Sequence, residues 1–124
     1  MNIFKSKWFS KWAEKEGLTD SALQEAILDM ENGLVDGELG GNVYKKRAAI
    51  QGQGKRGGLR TIVAFKVADK SFFIFGFAKN QRENISTKEL KTLKLMAKEL
   101  LGYSNLQLDK AIKSGELIEV KSDE

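Results

Sequence analysis

The chain has 124 residues, 41% of them hydrophobic and 31% charged, with a net charge of +4 and no proline, cysteine or histidine. That length suffices for one hydrophobic core and hardly for two, so a single domain over residues 1–124 is expected. Without cysteine there are no disulfides and no thiolate chemistry, and without histidine the commonest general base and metal ligand are missing. Any catalysis has to rest on lysine, arginine, tyrosine, serine or carboxylates, and no cofactor or metal is expected. No apolar run approaches the ~18 residues of a membrane span. The N-terminus carries Lys5 and Lys7 but runs into a charged amphipathic stretch, so a soluble cytoplasmic protein with no membrane partner is expected.

In chain order, Trp8, Phe9 and Trp12 stand on one side of a short helix that ends near Gly17, with both tryptophans expected in the core. Thr19-Asp20-Ser21 is a helix start, Leu23, Ala26, Ile27 and Met30 follow at helical spacing, and Gly33 is a stop. These two helices are expected to form an antiparallel pair. Val43 to Ile50 alternates as a strand, and the four glycines between Gly52 and Gly58 predict a flexible basic loop. That loop resembles a phosphate-binding loop only superficially, because it lacks the Walker spacing and leads into a strand. Leu59 to Val67 and Ser71 to Phe77 are rich in β-branched and aromatic residues, and Ala68-Asp69-Lys70 joins them as a hairpin, which makes the middle of the chain an antiparallel meander. Ser86-Thr87-Lys88-Glu89 has the form of a capping box, before a helix marked by Leu90, Leu93, Ala97, Leu100 and Leu101 and closed by Gly102. A shorter helix from about Asn105 to Lys113, a final strand over Leu117 to Val120 and a frayed tail complete the pattern.

Charge is unevenly distributed. From Leu39 to Arg82 there are ten basic residues and one acidic residue, a net of +9, whereas the rest holds eleven basic and sixteen acidic residues, a net of −5. One reading is a solvated lysine-rich face; the other is a surface for phosphate backbone. Strand alternation puts Val43, Lys45, Arg47 and Ala49 on one face and Tyr44, Lys46 and Ala48 on the other. With Arg60 after the glycine segment and Lys79 at the end of the hairpin, an antiparallel sheet gathers Lys45, Arg47, Arg60 and Lys79 on one surface. Crowded cations repel unless an anion or carboxylates relieve them, and no acidic residue lies between Glu38 and Asp69.

Four segments together carry a family resemblance: Val-Tyr-Lys-Lys-Arg at 43–47, Gly-Lys-Arg-Gly-Gly-Leu-Arg-Thr at 54–61, Phe-Phe-Ile-Phe-Gly-Phe-Ala-Lys-Asn at 72–80, and Asn-Ile-Ser at 84–86 with Glu89-Leu90 after it. In this order and spacing the chain resembles the RelE/ParE-type toxins of bacterial toxin-antitoxin modules, particularly the HigB-like branch, from about Phe4 to Leu101. The resemblance implies an α+β fold with two N-terminal helices, a small twisted antiparallel sheet and C-terminal helices, residues from about 103 to 124 being a C-terminal extension. It also implies a metal-independent endoribonuclease, an mRNA interferase that cuts messages on the translating ribosome and so inhibits translation. A cognate antitoxin is implied with it, an acidic chain with a helix-turn-helix being one expected form, so that the toxin is a monomer when free and part of a hetero-oligomer when neutralised.

The family's basic positions fall on Lys45, Arg47, Arg60 and Lys79, with Lys46, Lys55, Arg56 and Arg82 as further RNA-binding positions. Asn80 and Ser86 stand where some relatives carry an arginine and a tyrosine, which leaves the general acid unassigned. RNA cleavage without histidine or metal is reasonable when the substrate's 2′-hydroxyl is the nucleophile, because the enzyme then has to align it, take its proton, stabilise the phosphorane and protonate the leaving oxygen. On this reading Lys45 is general base or proton relay, Arg47 and Arg60 clamp the phosphate, and Lys79 is a second clamp or the acid. The alternatives are a non-catalytic toxin that binds gyrase, as in the ParE branch, and a plain nucleic-acid-binding module. Four converging cations speak against the first, and the absence of an exposed aromatic ladder against the second.

Overall fold

The computed structural model describes residues 1–50 and 54–121, with 54–57 described by their backbone alone. Its elements are β1 (Asn2–Ser6), α1 (Lys7–Glu16), α2 (Asp20–Glu31), β2 (Gly37–Gly40), β3 (Val43–Ile50), β4 (Gly54–Lys66), β5 (Lys70–Ala78), α3 (Thr87–Leu101), α4 (Asn105–Ser114) and β6 (Leu117–Glu119). The six strands form one sheet in the order β2-β3-β4-β5-β1-β6. The fold is α+β, with a sheet between two helical layers.

The expected wholly antiparallel sheet is corrected in one respect. β1 pairs in parallel with β5, from Asn2 opposite Lys70 to Lys5 opposite Phe73, while the other pairings are antiparallel, so the sheet is mixed. The chain therefore begins with a strand before its first helix, and β1 in turn holds β6 at the edge. β6 and α4 place Leu108, Ala111 and Leu117 in the core beside Phe4 and Phe72, so residues 105–119 are built into the domain.

Alternation along the strands gives the sheet two apolar faces. Val43, Ile62, Ala64, Phe72 and Ile74 meet Leu93, Ala97 and Leu100 of α3 on one side. Ala48, Leu59, Val63, Phe65 and Phe73 meet Phe9 and Ala13 of α1 and Leu23, Ile27 and Met30 of α2 on the other. α1 lies on β5 and α2 on β3, and both helices share one core cluster. The β4–β5 register shifts between Ile62 and Val63, which face Phe75 and Phe73, and Ile74 is the extra residue. The consecutive Ile74 and Phe75 thereby both turn toward α3. Gly76 follows where nothing larger fits, since a Cβ there would lie 2.2 Å from the Trp12 ring.

The helix ends follow local chemistry. Gly17 closes α1 at φ 77°, Thr19 caps α2 by accepting from the Ala22 N–H, and Ser86 with Glu89 forms a reciprocal capping box on α3. Two expectations change. Trp8 is 49% exposed and stacks on Phe75 at 4.7 Å between ring centroids, so it is a surface residue where a core one was expected. The glycine-rich segment is strand from Gly54 onward, with Ile50 opposite Gly54, which puts Arg60 well inside β4; residues 51–53 of the expected loop lie outside the described residues.

Candidate functional site

Three adjacent strands build a row of side chains beyond the end of the core that α3 covers. Arg47 of β3 lies opposite Arg60 of β4, and Arg60 opposite Phe77 of β5. One row further along, Lys45 lies opposite Ile62, and Ile62 opposite Phe75. Because cross-strand partners on one face stand about 5 Å apart at Cβ, Lys45, Arg47 and Arg60 share a small patch. Phe77 is its buried floor. Lys79 stands one step past the end of β5, where its N–H donates to the Gly58 carbonyl at 2.7 Å, so its exposed side chain starts from the rim of the same row.

Like charges directly opposite on a sheet destabilise it, and among the described residues only one of the two arginines is compensated by a carboxylate. Asp36 accepts the Arg47 N–H at 2.7 Å through Oδ2 and its Nε–H at 2.9 Å through Oδ1, which fixes the base of the guanidinium while the side chain remains 48% exposed. Burial pushes the Asp36 carboxyl up, but the Arg47 N–H and guanidinium and the Lys46 ammonium outweigh it and hold the group below its ordinary value. Arg60 makes one long bond, from Nη1 to the Leu59 carbonyl at 3.4 Å. Among the described residues no carboxylate pairs with Lys45, Arg60 or Lys79. A partner for Arg47 was not anticipated, because Asp36 lies just outside the acid-free stretch and reaches Arg47 through the β2–β3 register. Its N–H donates to the Lys45 carbonyl at 3.0 Å, which continues the β2–β3 pairing by one residue.

Two of the further basic positions serve other ends. Lys46 points to the opposite face, is 3% exposed, and places Nζ 3.3 Å from Asp29 and 3.9 Å from Asp36, so it is a buried structural cation and not a surface contact for RNA. Arg82 lies with Cζ 5.7 Å from the Phe77 ring centroid and is paired with both carboxylate oxygens of Glu89, which brings it to the rim of the patch but ties it to the start of α3. The side chains of Lys55 and Arg56 lie outside the described residues. Neither tyrosine lies on the cationic face: Tyr44 packs edge-on against Phe65 on the far side, and Tyr103 follows α3 at its other end. Among the described residues no three His, Cys, Asp or Glu side chains are grouped to hold a metal ion, and no helix is long and apolar enough to cross a membrane.

The Arg82 guanidinium and, after it, the Ser86 N–H hold the Glu89 carboxyl at about 2, against an ordinary 4.5. A depressed folded-state value means that the stability from this group is complete above 4.5 and drains away as pH falls toward 2. Glu89→Gln keeps an acceptor for the capping box and removes the charge. Thermal melts between pH 5 and 2 are expected to show a shallower acid-side loss for this variant than for the wild type, and equal slopes would contradict the assignment.

With this geometry in place, the chain compares with known proteins as follows. Residues 1–120 match the family model described as RelE toxin of RelE / RelB toxin-antitoxin system. No curated protein matches the chain.

Proposed function

The chain belongs to the RelE toxin family of toxin-antitoxin systems, and from that premise we propose that it is a ribosome-dependent endoribonuclease that cuts messenger RNA and is held inactive by its antitoxin. The observation that carries the reading is Arg60, a cation set opposite a second arginine in mid-sheet and, among the described residues, with no carboxylate beside it. A site left with uncompensated positive charge is matched to an anion that arrives from outside, and a phosphorane is more negative than the phosphodiester that precedes it.

The roles follow from what each group has left to offer. Arg60 clamps the scissile phosphate with its free guanidinium edge. Arg47, whose Nε is engaged by Asp36, presents its two terminal nitrogens to the same phosphate. Lys45, one row nearer α3 on the same face, takes the proton of the 2′-hydroxyl, directly or by relay. Lys79 at the rim serves the leaving-group side, as a second clamp or as the acid. The nucleophile belongs to the substrate, so the protein's work is alignment, charge stabilisation and proton transfer. The Ala78-Lys79-Asn80 segment, which runs on from the last residue of β5, supports the HigB-like branch as the finer assignment.

The test is a translation reaction given the same message with and without ribosomes. Cuts within the translated region that need ribosomes are expected. An intact message alongside blocked DNA supercoiling would move the protein to the gyrase-binding class.

A further inference from the structure

We infer that the flank of α3 bearing Lys91, Lys94 and Lys98, together with the β2–β3 turn, is a second RNA-backbone site that anchors the substrate or the ribosome's own RNA away from the cutting point. The identity of the polyanion as RNA rests on the function proposed above; the existence of an anion site does not.

α3 has two unlike flanks. Thr92, Met96 and Glu99 look onto an apolar hollow of about 660 Å³ that Trp8, Phe75 and Tyr103 also line. Lys91, Lys94 and Lys98 look the other way, onto a hollow of about 560 Å³ bounded by Gly41 and Asn42 and lined also by Leu95 and Leu101. Spaced i, i+3 and i+7, the three lysines are neighbours about 5–6 Å apart at Cβ along one line of the helix, and like charges in that arrangement destabilise it. Acidic residues would normally interleave. On α1, Lys11 and Lys15 share the helix with Glu14 and Glu16, whereas on α3 Glu89 is spent on Arg82 and Glu99 lies on the apolar flank. Among the described residues none of the three lysines has a carboxylate partner.

The turn opposite is small. Gly41 and Asn42 take φ 62° and 63° at the centre of a two-residue hairpin, and Lys94 Nζ reaches over it to 3.2 Å from where a Cβ on Gly40 would sit. A bulkier turn would fill the space in front of the lysines. Protein partners select aromatic and methionine anchors and avoid lysine, and those anchors are on the other flank. A phosphate backbone needs only cations at regular spacing and room to approach. α3 starts beside Arg82 and Phe77, and Lys91, Lys94 and Lys98 follow from its second turn on, so the two cationic patches lie along one helix and one strand of RNA can meet both.

The experiment measures binding of a non-cleavable 2′-O-methyl RNA of about 20 nucleotides across a range of KCl concentrations. Replacing Lys91, Lys94 and Lys98 together with alanine, which favours the helix, is expected to lower the slope of log affinity against log salt by about 2, each phosphate contact on single-stranded RNA being worth about 0.7. Replacing the exposed Lys11, Lys15 and Lys113 removes the same charge and is expected to leave the slope as it was. A wild-type slope in the α3 variant, or equal losses in both, overturns the site. So does an unchanged RNA slope with weakened antitoxin binding, which would give the flank to a protein partner. If the α3 lysines set the slope but no message is cut, this site stands and the proposed function falls; if messages are cut and the α3 variant binds RNA like the wild type, the reverse holds.

Discussion

Arg60→Ala is expected to slow message cleavage by about 100-fold or more, the usual cost of removing a donor aimed at developing charge, while leaving the protein folded. The second half of that expectation comes from the sheet. Arg60 makes one weak bond to the neighbouring Leu59 carbonyl and faces Arg47 across the ladder, so its loss orphans no carboxylate and relieves a like-charge contact. A melting temperature equal to or above that of the wild type should accompany the lost activity. Full cleavage by a folded Arg60→Ala protein would remove this residue from the site.

Lys46→Ala should do the opposite. One residue before Arg47 in the same strand, Lys46 buries its stem under α2, carries its ammonium to Asp29 and Asp36, and accepts the Thr61 hydroxyl at 2.8 Å through its carbonyl. Removing a nearly buried partner from such a cluster costs about 3–5 kcal/mol when the carboxylates are fully buried; these keep some contact with water, so a loss of about 2–3 kcal/mol is expected, with part of it from the missing aliphatic stem. Urea denaturation should show a lower midpoint at unchanged slope. An unchanged midpoint would mean that the buried pair adds nothing. Lys46 therefore holds the fold, although the resemblance placed it among the RNA-binding positions.

What could be read from the sequence was local. The capping box at Ser86 and Glu89, the αL closure at Gly17 and the apolar spacing of α2 are decided within one or two turns of chain, and each stands where it was expected. The alternation that sets Lys45 and Arg47 against Lys46 is equally local, and the two faces of β3 follow it. What could not be read depends on residues far apart in the chain. β1 is a strand only because β5 receives it in parallel nearly seventy residues later, and nothing in Asn-Ile-Phe-Lys-Ser shows that. Lys46 is buried because α2 covers its face and supplies Asp29, and Arg47 is restrained because the β2–β3 register delivers Asp36. In SFFIFGF the bulge is hidden, since an unbroken apolar run carries no mark of where its alternation slips. The cationic row was visible as a list of residues, whereas which of its members are free is a property of the fold.

The proposed chemistry is tested most directly at the substrate. In a translating reaction, a message with a single 2′-deoxy nucleotide immediately 5′ of a mapped cut should stay whole at that position, while neighbouring cuts persist and the 5′ fragments end in a 2′,3′-cyclic phosphate. Cleavage at the deoxy position, or fragments ending in a free 3′-hydroxyl, would contradict the account, because the 2′-hydroxyl would then not be the nucleophile that Lys45, Arg47 and Arg60 are proposed to serve.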